Sequence, residues 1–236
     1  FVWGAGFSVD GPFLTWRDYI PDSIFMMTET ELWNPYKHVT VPAYDPHKDI
    51  ILPGRIGGRD ANVAWKNSWP LMERPYLGGF IGWPRPGHPS KGEEANTTLR
   101  VRDHLLAWTN RTDMAIDVDV PFIKSLEQAT QSVFCFIPRG KSAWSSRMFS
   151  VMFGGCIPVV LNDEYELPYE QFLSSPQFAI KWPMRVVDDT LIDYLKSIPA
   201  SKRHFLRETG AAVRCWFEPY NFGKYFNKPE FSNDER

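Results

Sequence analysis

Residues 138–148 read Pro-Arg-Gly-Lys-Ser-Ala-Trp-Ser-Ser-Arg-Met and lie between the apolar runs 132–137 and 149–153. Arg139 and Arg147 bring guanidinium forks suited to a phosphate or carboxylate. Gly140 lets the backbone approach a ligand, and Ser145 or Ser146 can cap the helix that follows. A strand, a short polar loop and a helix start together suit a diphosphate. The same residues also suit a capped helix with solvated basic side chains, and the loop alone does not decide between them.

The next apolar run, residues 156–161, ends in Asn162-Asp163-Glu164-Tyr165-Glu166-Leu167-Pro168-Tyr169. Asn162, Asp163 and Glu166 can accept hydrogen bonds from ribose or sugar hydroxyls, and Tyr165 offers a ring for stacking. Basic groups on one loop and acidic groups on its neighbour match the two ends of a nucleotide-sugar.

Both loops need a scaffold that places them on one edge. From residue 76 onward, strand and helix signals alternate. Strands are expected at 76–82, 114–118, 132–137, 156–161 and 178–182. Helices are expected at 97–108, 121–130, 146–153, 190–198 and 201–217, the third stopped by Gly154-Gly155. In the first helix Leu99, Val101, Leu105 and Leu106 form the apolar face, with Arg100 and Arg102 elsewhere. Runs such as Val133-Phe134-Cys135-Phe136-Ile137 are apolar on both faces, as buried parallel strands are. The pattern predicts an α/β Rossmann-like domain over 76–217, whose ligands collect at the carboxyl ends of its strands.

Residues 1–75 are richer in loops. Phe1-Val2-Trp3 reads as the inside of a strand, which suggests an excised piece of a longer protein. A helical turn is expected at 15–19, short strands at 23–27 and 49–52, a polar stretch between them, and a linker or ordered crossover at 55–75. Residues 218–236 read as a polar tail.

Composition sets limits. The chain has 236 residues, 43% hydrophobic and 23% charged, with a formal charge of −2, which gives no reason to expect nucleic acid or an anionic membrane as partner. Aromatic residues make up 15%, a surplus that suits sugar-stacking surfaces but is expected first to build a Trp-rich core. No apolar run reaches the roughly 18–20 residues of a membrane span. The odd set Cys135, Cys156 and Cys215 has no metal-ligand spacing; the first two read as buried thiols, with one disulfide left open. The scattered histidines His38, His47, His88, His104 and His204 form no metal motif. Gly4-Ala5-Gly6 lacks the third glycine of a dinucleotide fingerprint, and no serine-hydrolase, zinc-protease or Walker pattern occurs. Asn96-Thr97-Thr98 and Asn110-Arg111-Thr112 are sequons, acceptors only in a secretory compartment.

The segments 132–140, Ser146-Arg147, Gly155-Cys156-Ile157-Pro158-Val159-Val160 and Glu166-Leu167-Pro168-Tyr169 closely resemble the exostosin family, glycosyltransferase family 47. Gly4-Ala5-Gly6, residues 16–20, Ser23-Ile24-Phe25 and residues 48–54 look like the stretch that precedes the donor domain in its plant and algal members. The resemblance covers nearly the whole chain to about residue 217. It implies the C-terminal, donor-binding lobe of a two-lobed GT-B fold at 76–217, preceded over 1–75 by the end of the acceptor-side lobe and a crossover. It further implies an inverting, metal-independent transfer from a UDP-sugar to a glycan or glycoprotein, in cell-surface or cell-wall polysaccharide synthesis. That work is expected in the Golgi lumen, with a type II membrane anchor outside this stretch and no cofactor besides the donor. Residues assigned to the donor on this basis are Arg139, Gly140, Ser145, Ser146, Arg147, Ser150, Asn162, Asp163 and Glu166. No catalytic base is assigned; Asp10, Asp18 and Glu29 are the nearest carboxylates. One departure stands out. Where the family carries an acid three residues after the arginine, this chain has Ser150. That opens an alternative: an inactive lobe that binds a nucleotide-sugar or glycan and partners an active transferase in a hetero-oligomer. A nucleotide-binding α/β domain of unrelated function is a third reading.

Overall fold

The structure, a computed structural model, describes residues 2–4, 19–28, 30–34, 39–42, 44–53, 64, 67–82, 93–118, 120, 122–140, 143, 145 and 147–217. In 2–4, 31–34, 39–42, 93–97, 99 and 122 it describes the backbone alone. The helical turn expected at 15–19, except Tyr19, and the tail at 218–236 lie outside the described residues, as do Asp10, Asp18 and Glu29.

The N-terminal part holds β1 (Val2–Gly4), β2 (Phe25–Met27), β3 (Glu31–Asn34), β4 (Val39–Pro42) and β5 (Ile50–Ile51). Strands β1, β2 and β5 form a parallel sheet with β2 in the middle, and β3 and β4 pair as an antiparallel hairpin. That hairpin falls in the stretch read as merely polar; Pro42 sits at the end of β4, where its missing N–H does least harm. Buried Asp49 accepts hydrogen bonds from the Phe25 and Asp45 N–H groups at 3.1 and 2.8 Å and ties the start of β2 to the turn before β5.

The larger sheet is built from β6 (Tyr76–Gly82), α1 (Glu93–Ala107), β7 (Met114–Val118), α2 (Phe122–Gln131), β8 (Ser132–Pro138), α3 (Arg147–Phe153), β9 (Ile157–Leu161), β10 (Ile180–Lys181), α4 (Asp189–Ser197) and α5 (Ala200–Val213). Its strands run β7-β6-β8-β9-β10, all parallel. Numbered within the sheet this is the order 2-1-3-4-5, a doubly wound arrangement whose topological switch lies between β6 and β8. The Rossmann-like α/β expectation therefore holds.

Alternation along the buried strands divides the core. Phe134 and Phe136 point to a face filled by Leu105, Trp108, Leu191 and Leu195, while Cys135 and Ile137 point to one filled by Met148, Phe149, Met152 and Phe153. Most described phenylalanines are buried, so the aromatic surplus builds core. Four expectations need correction. Cys135 and Cys156 form a disulfide, not two thiols, because the β8–β9 register brings their Cα atoms to 5.9 Å on one face. Of the strand expected at 178–182 only Ile180 and Lys181 pair; Phe178 and Ala179 turn into the core. Arg102 does not sit away from the buried face of α1 but is 6% exposed within the protein. The helix expected at 201–217 ends earlier, α5 giving way to a 3-10 turn at Arg214–Phe217.

Closing a loop of 21 residues, the disulfide stabilises the fold by about 3 kcal/mol on a chain-entropy estimate. Replacing both Cys135 and Cys156 by alanine is expected to lower the urea midpoint accordingly. An unchanged midpoint would show that the bridge adds nothing.

Residues 67–75 are ordered by Arg74, which is 7% exposed. Its Nε donates to Trp69 O, Nη1 to Ala129 O and Ser132 O, and Nη2 to Ser68 Oγ and Gly154 O. One side chain thus joins the end of α2, the start of β8 and the turn after α3. Gly155 sits in that turn at φ +67°, and a Cβ there would stand 2.7 Å from Ser68 Oγ. Only glycine meets both conditions without strain.

Candidate functional site

Strands β6 and β8 stop pairing at Gly79 and Cys135 while each runs on, and two arginines gather near their carboxyl ends. Arg147, the first residue of α3, reaches back so that its guanidinium stands 5.0 Å over the Phe80 ring and its Nη1 lies 3.5 Å from Ser125 Oγ on α2. Arg102 of α1 approaches the same ring at 5.8 Å and donates from Nη2 to the Arg139 carbonyl at 2.6 Å. Gly82, the last residue of β6, makes room: a Cβ there would fall 2.8 Å from Arg147 Nη2.

The electrostatics are one-sided. Burial and the positive charge of Arg102 push the Arg147 guanidinium down to about 10, and burial brings Arg102 to about 10 as well. Both stay cationic near neutral pH, each within cation–π range of the Phe80 ring. Among the described residues no carboxylate lies within ion-pair distance of Arg147. Two desolvated cations stand together at the switch point, the edge where such folds bind ligands, and an anion entering there would meet both.

The other expected residues divide. Arg139 is 1% exposed and its Nη1 donates to Glu164 Oε2 at 2.7 Å, so in this structure it grips an internal carboxylate. Asn162 donates to Ala143 O and accepts from the Glu164 N–H, holding the two loops together. Asp163 accepts from the Met184 N–H and fixes the 3-10 turn Met184–Val186. Gly140 and Ser145 are partly exposed on the loop, and the Ser145 carbonyl accepts from Met148 N–H. Ser146 lies outside the described residues. Ser150 is 3% exposed, one turn after Arg147 on α3. Tyr165, expected to stack on a ligand, is 2% exposed in the core beside α3 and cannot offer its face.

Glu166 is not drawn to the arginines. Burial and then Glu170 raise its carboxyl above the ordinary value, against Lys181, which lowers it. A raised folded value means that this group favours the folded state most at low pH. That contribution is lost as pH rises from the unfolded carboxyl value through the folded one. Glu166→Gln is therefore expected to raise stability at neutral pH and to flatten the pH dependence on the acid side, read by thermal melts across pH; a loss at pH 7 would contradict this.

The loop after β9 also meets the N-terminal part. Thr30 Oγ1 donates to Glu164 O at 3.1 Å, Tyr169 N–H to Ile51 O at 3.3 Å, and Gln171 Nε2 to Tyr44 Oη. Tyr169 holds φ 59°, left-handed backbone that is costly for a bulky residue and is kept here by that docking. Sequence reasoning missed Arg102, Phe80, Gly82 and Glu164. Arg102 stands three residues before Leu105 on the buried face of α1, a spacing that marks its side. Gly82 closes a strand at the ligand-binding edge, which is a signal too.

The fold defines a class: a parallel, doubly wound α/β domain consistent with the Rossmann-like lobe of a GT-B glycosyltransferase. The Exostosin GT47 domain model matches residues 10–198. A probable glycosyltransferase of Arabidopsis thaliana is 28% identical over 209 residues, 86% of this chain and 39% of that protein. Exostosin-1 of Drosophila melanogaster is 32% identical over 188 residues, 72% of this chain and 23% of that protein, and exostosin-1 of Bos taurus is 24% identical over 218, 85% and 28%. The chain belongs to the exostosin GT47 family of glycosyltransferases. It spans less than half the length of these relatives.

Proposed function

We propose that this lobe holds the UDP part of a UDP-sugar for inverting transfer to a glycan or glycoprotein acceptor. The observation that carries the reading is Arg147: a guanidinium partly withdrawn from water at the sheet's switch point, beside Arg102 and without a carboxylate among the described residues. The diphosphate would take that place. Arg147 would grip it before transfer and stabilise the charge that develops on UDP as it leaves, the task a metal ion performs in other transferases. Asn162 would keep the two loops in register, and Ser150 would offer one hydroxyl where family members carry an acid. Work in an oxidising compartment, the Golgi lumen, fits the Cys135–Cys156 disulfide. It fits too the exposed sequon residue Asn110. Among the described residues no helix is long and apolar enough to cross a membrane, so an anchor would lie outside them.

The test is UDP release by the full-length protein from a panel of UDP-sugars with oligosaccharide acceptors, with and without EDTA. Release that persists in EDTA supports the reading, and dependence on a divalent ion overturns its metal-free part. A second reading rests on Ser150: buried and uncharged, it gives the ribose no carboxylate. If UDP binds but no sugar is transferred, and Ser150→Glu does not restore transfer, the lobe is a binding scaffold for an active partner.

A further inference from the structure

We infer that Glu164 is a built-in stand-in for the donor's diphosphate, an internal anion that occupies Arg139 until the ligand displaces it. The inference rests on the nucleotide reading above. Arg139 follows β8 at the ligand-binding edge of the sheet, and its main-chain carbonyl accepts from Arg102, one of the two arginines on Phe80. Its guanidinium is 1% exposed, and a cation so far from water requires an anionic partner. Glu164 supplies one at 2.7 Å, yet the Glu164 side chain is itself 49% exposed. The pair is asymmetric: the cation is locked in the protein while the anion reaches solvent.

The backbone makes the same distinction. Glu164 N–H is held by Asn162 Oδ1 and its carbonyl by Thr30 Oγ1. The main chain is pinned to the loop network and to the N-terminal part, while the long side chain can swing into water without unpinning it. A diphosphate offers Arg139 the same fork of oxygens with more charge, so exchange of Glu164 for ligand keeps the buried cation paired throughout. With Glu164 in place this edge presents Arg147 and Arg102; with Glu164 displaced the Arg139 guanidinium is open to the ligand as well. The carboxylate then competes with the ligand and recaptures Arg139 as UDP departs. Its removal should accordingly tighten binding, chiefly by slowing dissociation.

The experiment is calorimetric and stopped-flow titration of the full chain with UDP and with uridine, for wild type, Glu164→Gln and Glu164→Asp. Glu164→Gln is expected to bind UDP roughly five- to tenfold more tightly, equivalent to about 1–1.4 kcal/mol, with uridine unchanged. Glu164→Asp keeps the charge but is one methylene too short for the 2.7 Å contact, and is expected to gain part of that increase; it also serves if Glu164→Gln fails to fold. UDP binding by wild type with no gain in either folded variant, or with a loss, overturns the stand-in and makes Glu164 a structural partner of Arg139. No UDP binding by folded wild type overturns the nucleotide reading and the stand-in with it.

Discussion

Arg74→Ala is expected to lower the unfolding free energy by about 4–5 kcal/mol, the largest single-residue effect in the fold. Five N–H groups of this side chain meet acceptors, four of them backbone carbonyls of Trp69, Ala129, Ser132 and Gly154. Truncation leaves carbonyls at the end of α2, the start of β8 and the turn before β9 without their donor. Each unsatisfied buried acceptor costs about 1–3 kcal/mol, reduced wherever water enters the space left behind. Burial, followed by the charge of Arg207, already draws the Arg74 guanidinium down to about 9. The fold thus tolerates a strained cation in return for a rigid three-way junction. Arg74→Lys keeps a charge but has three rotating donors and no planar fork, and should recover less than half of the loss. Urea unfolding with an unchanged m-value measures both. A loss under about 1 kcal/mol would show that the junction does not depend on Arg74.

Arg147→Ala is expected to weaken UDP binding by roughly 100-fold or more, as two charge-assisted hydrogen bonds to the diphosphate disappear. Arg147→Lys retains the charge without the fork and should fall between. Stability should move the other way. Removing a desolvated cation that is repelled by Arg102 is expected to leave the melting temperature unchanged or raise it. Opposite signs on binding and stability distinguish a ligand-directed arginine from a structural one such as Arg74. A variant that loses stability and UDP affinity together would place Arg147 with Arg74.

The two arginines illustrate what the sequence allowed to be read. Arg147 is legible because it opens a helix after a polar loop at the end of an apolar strand, and strand polarity in an α/β sheet assigns that edge to ligands. Arg74 is not, because a buried arginine satisfied by carbonyls from three distant segments leaves no local pattern. The strand at 132–137 is readable since every position from Val133 to Ile137 is apolar. β10 is not, because Phe178 and Ala179 continue the apolar run while turning into the core. The loop at 162–166 shows the limit at the site. Its acidic residues are visible in sequence, but which of them faces the arginines depends on backbone turns. The structure assigns Glu164 to Arg139, Asp163 to Met184 and Glu166 to the neighbourhood of Lys181. Cys135 and Cys156 are similar: apolar context predicts burial, and only the register of β8 on β9 brings them together.

The central claim is that the crevice between β6 and β8 grips a diphosphate, and titration calorimetry of the folded wild-type chain with UDP and with uridine tests it most directly. One saturable site for UDP is expected, with uridine at least tenfold weaker because it brings no anion to Arg147. Absence of UDP binding, or uridine binding as tightly as UDP, would contradict the claim.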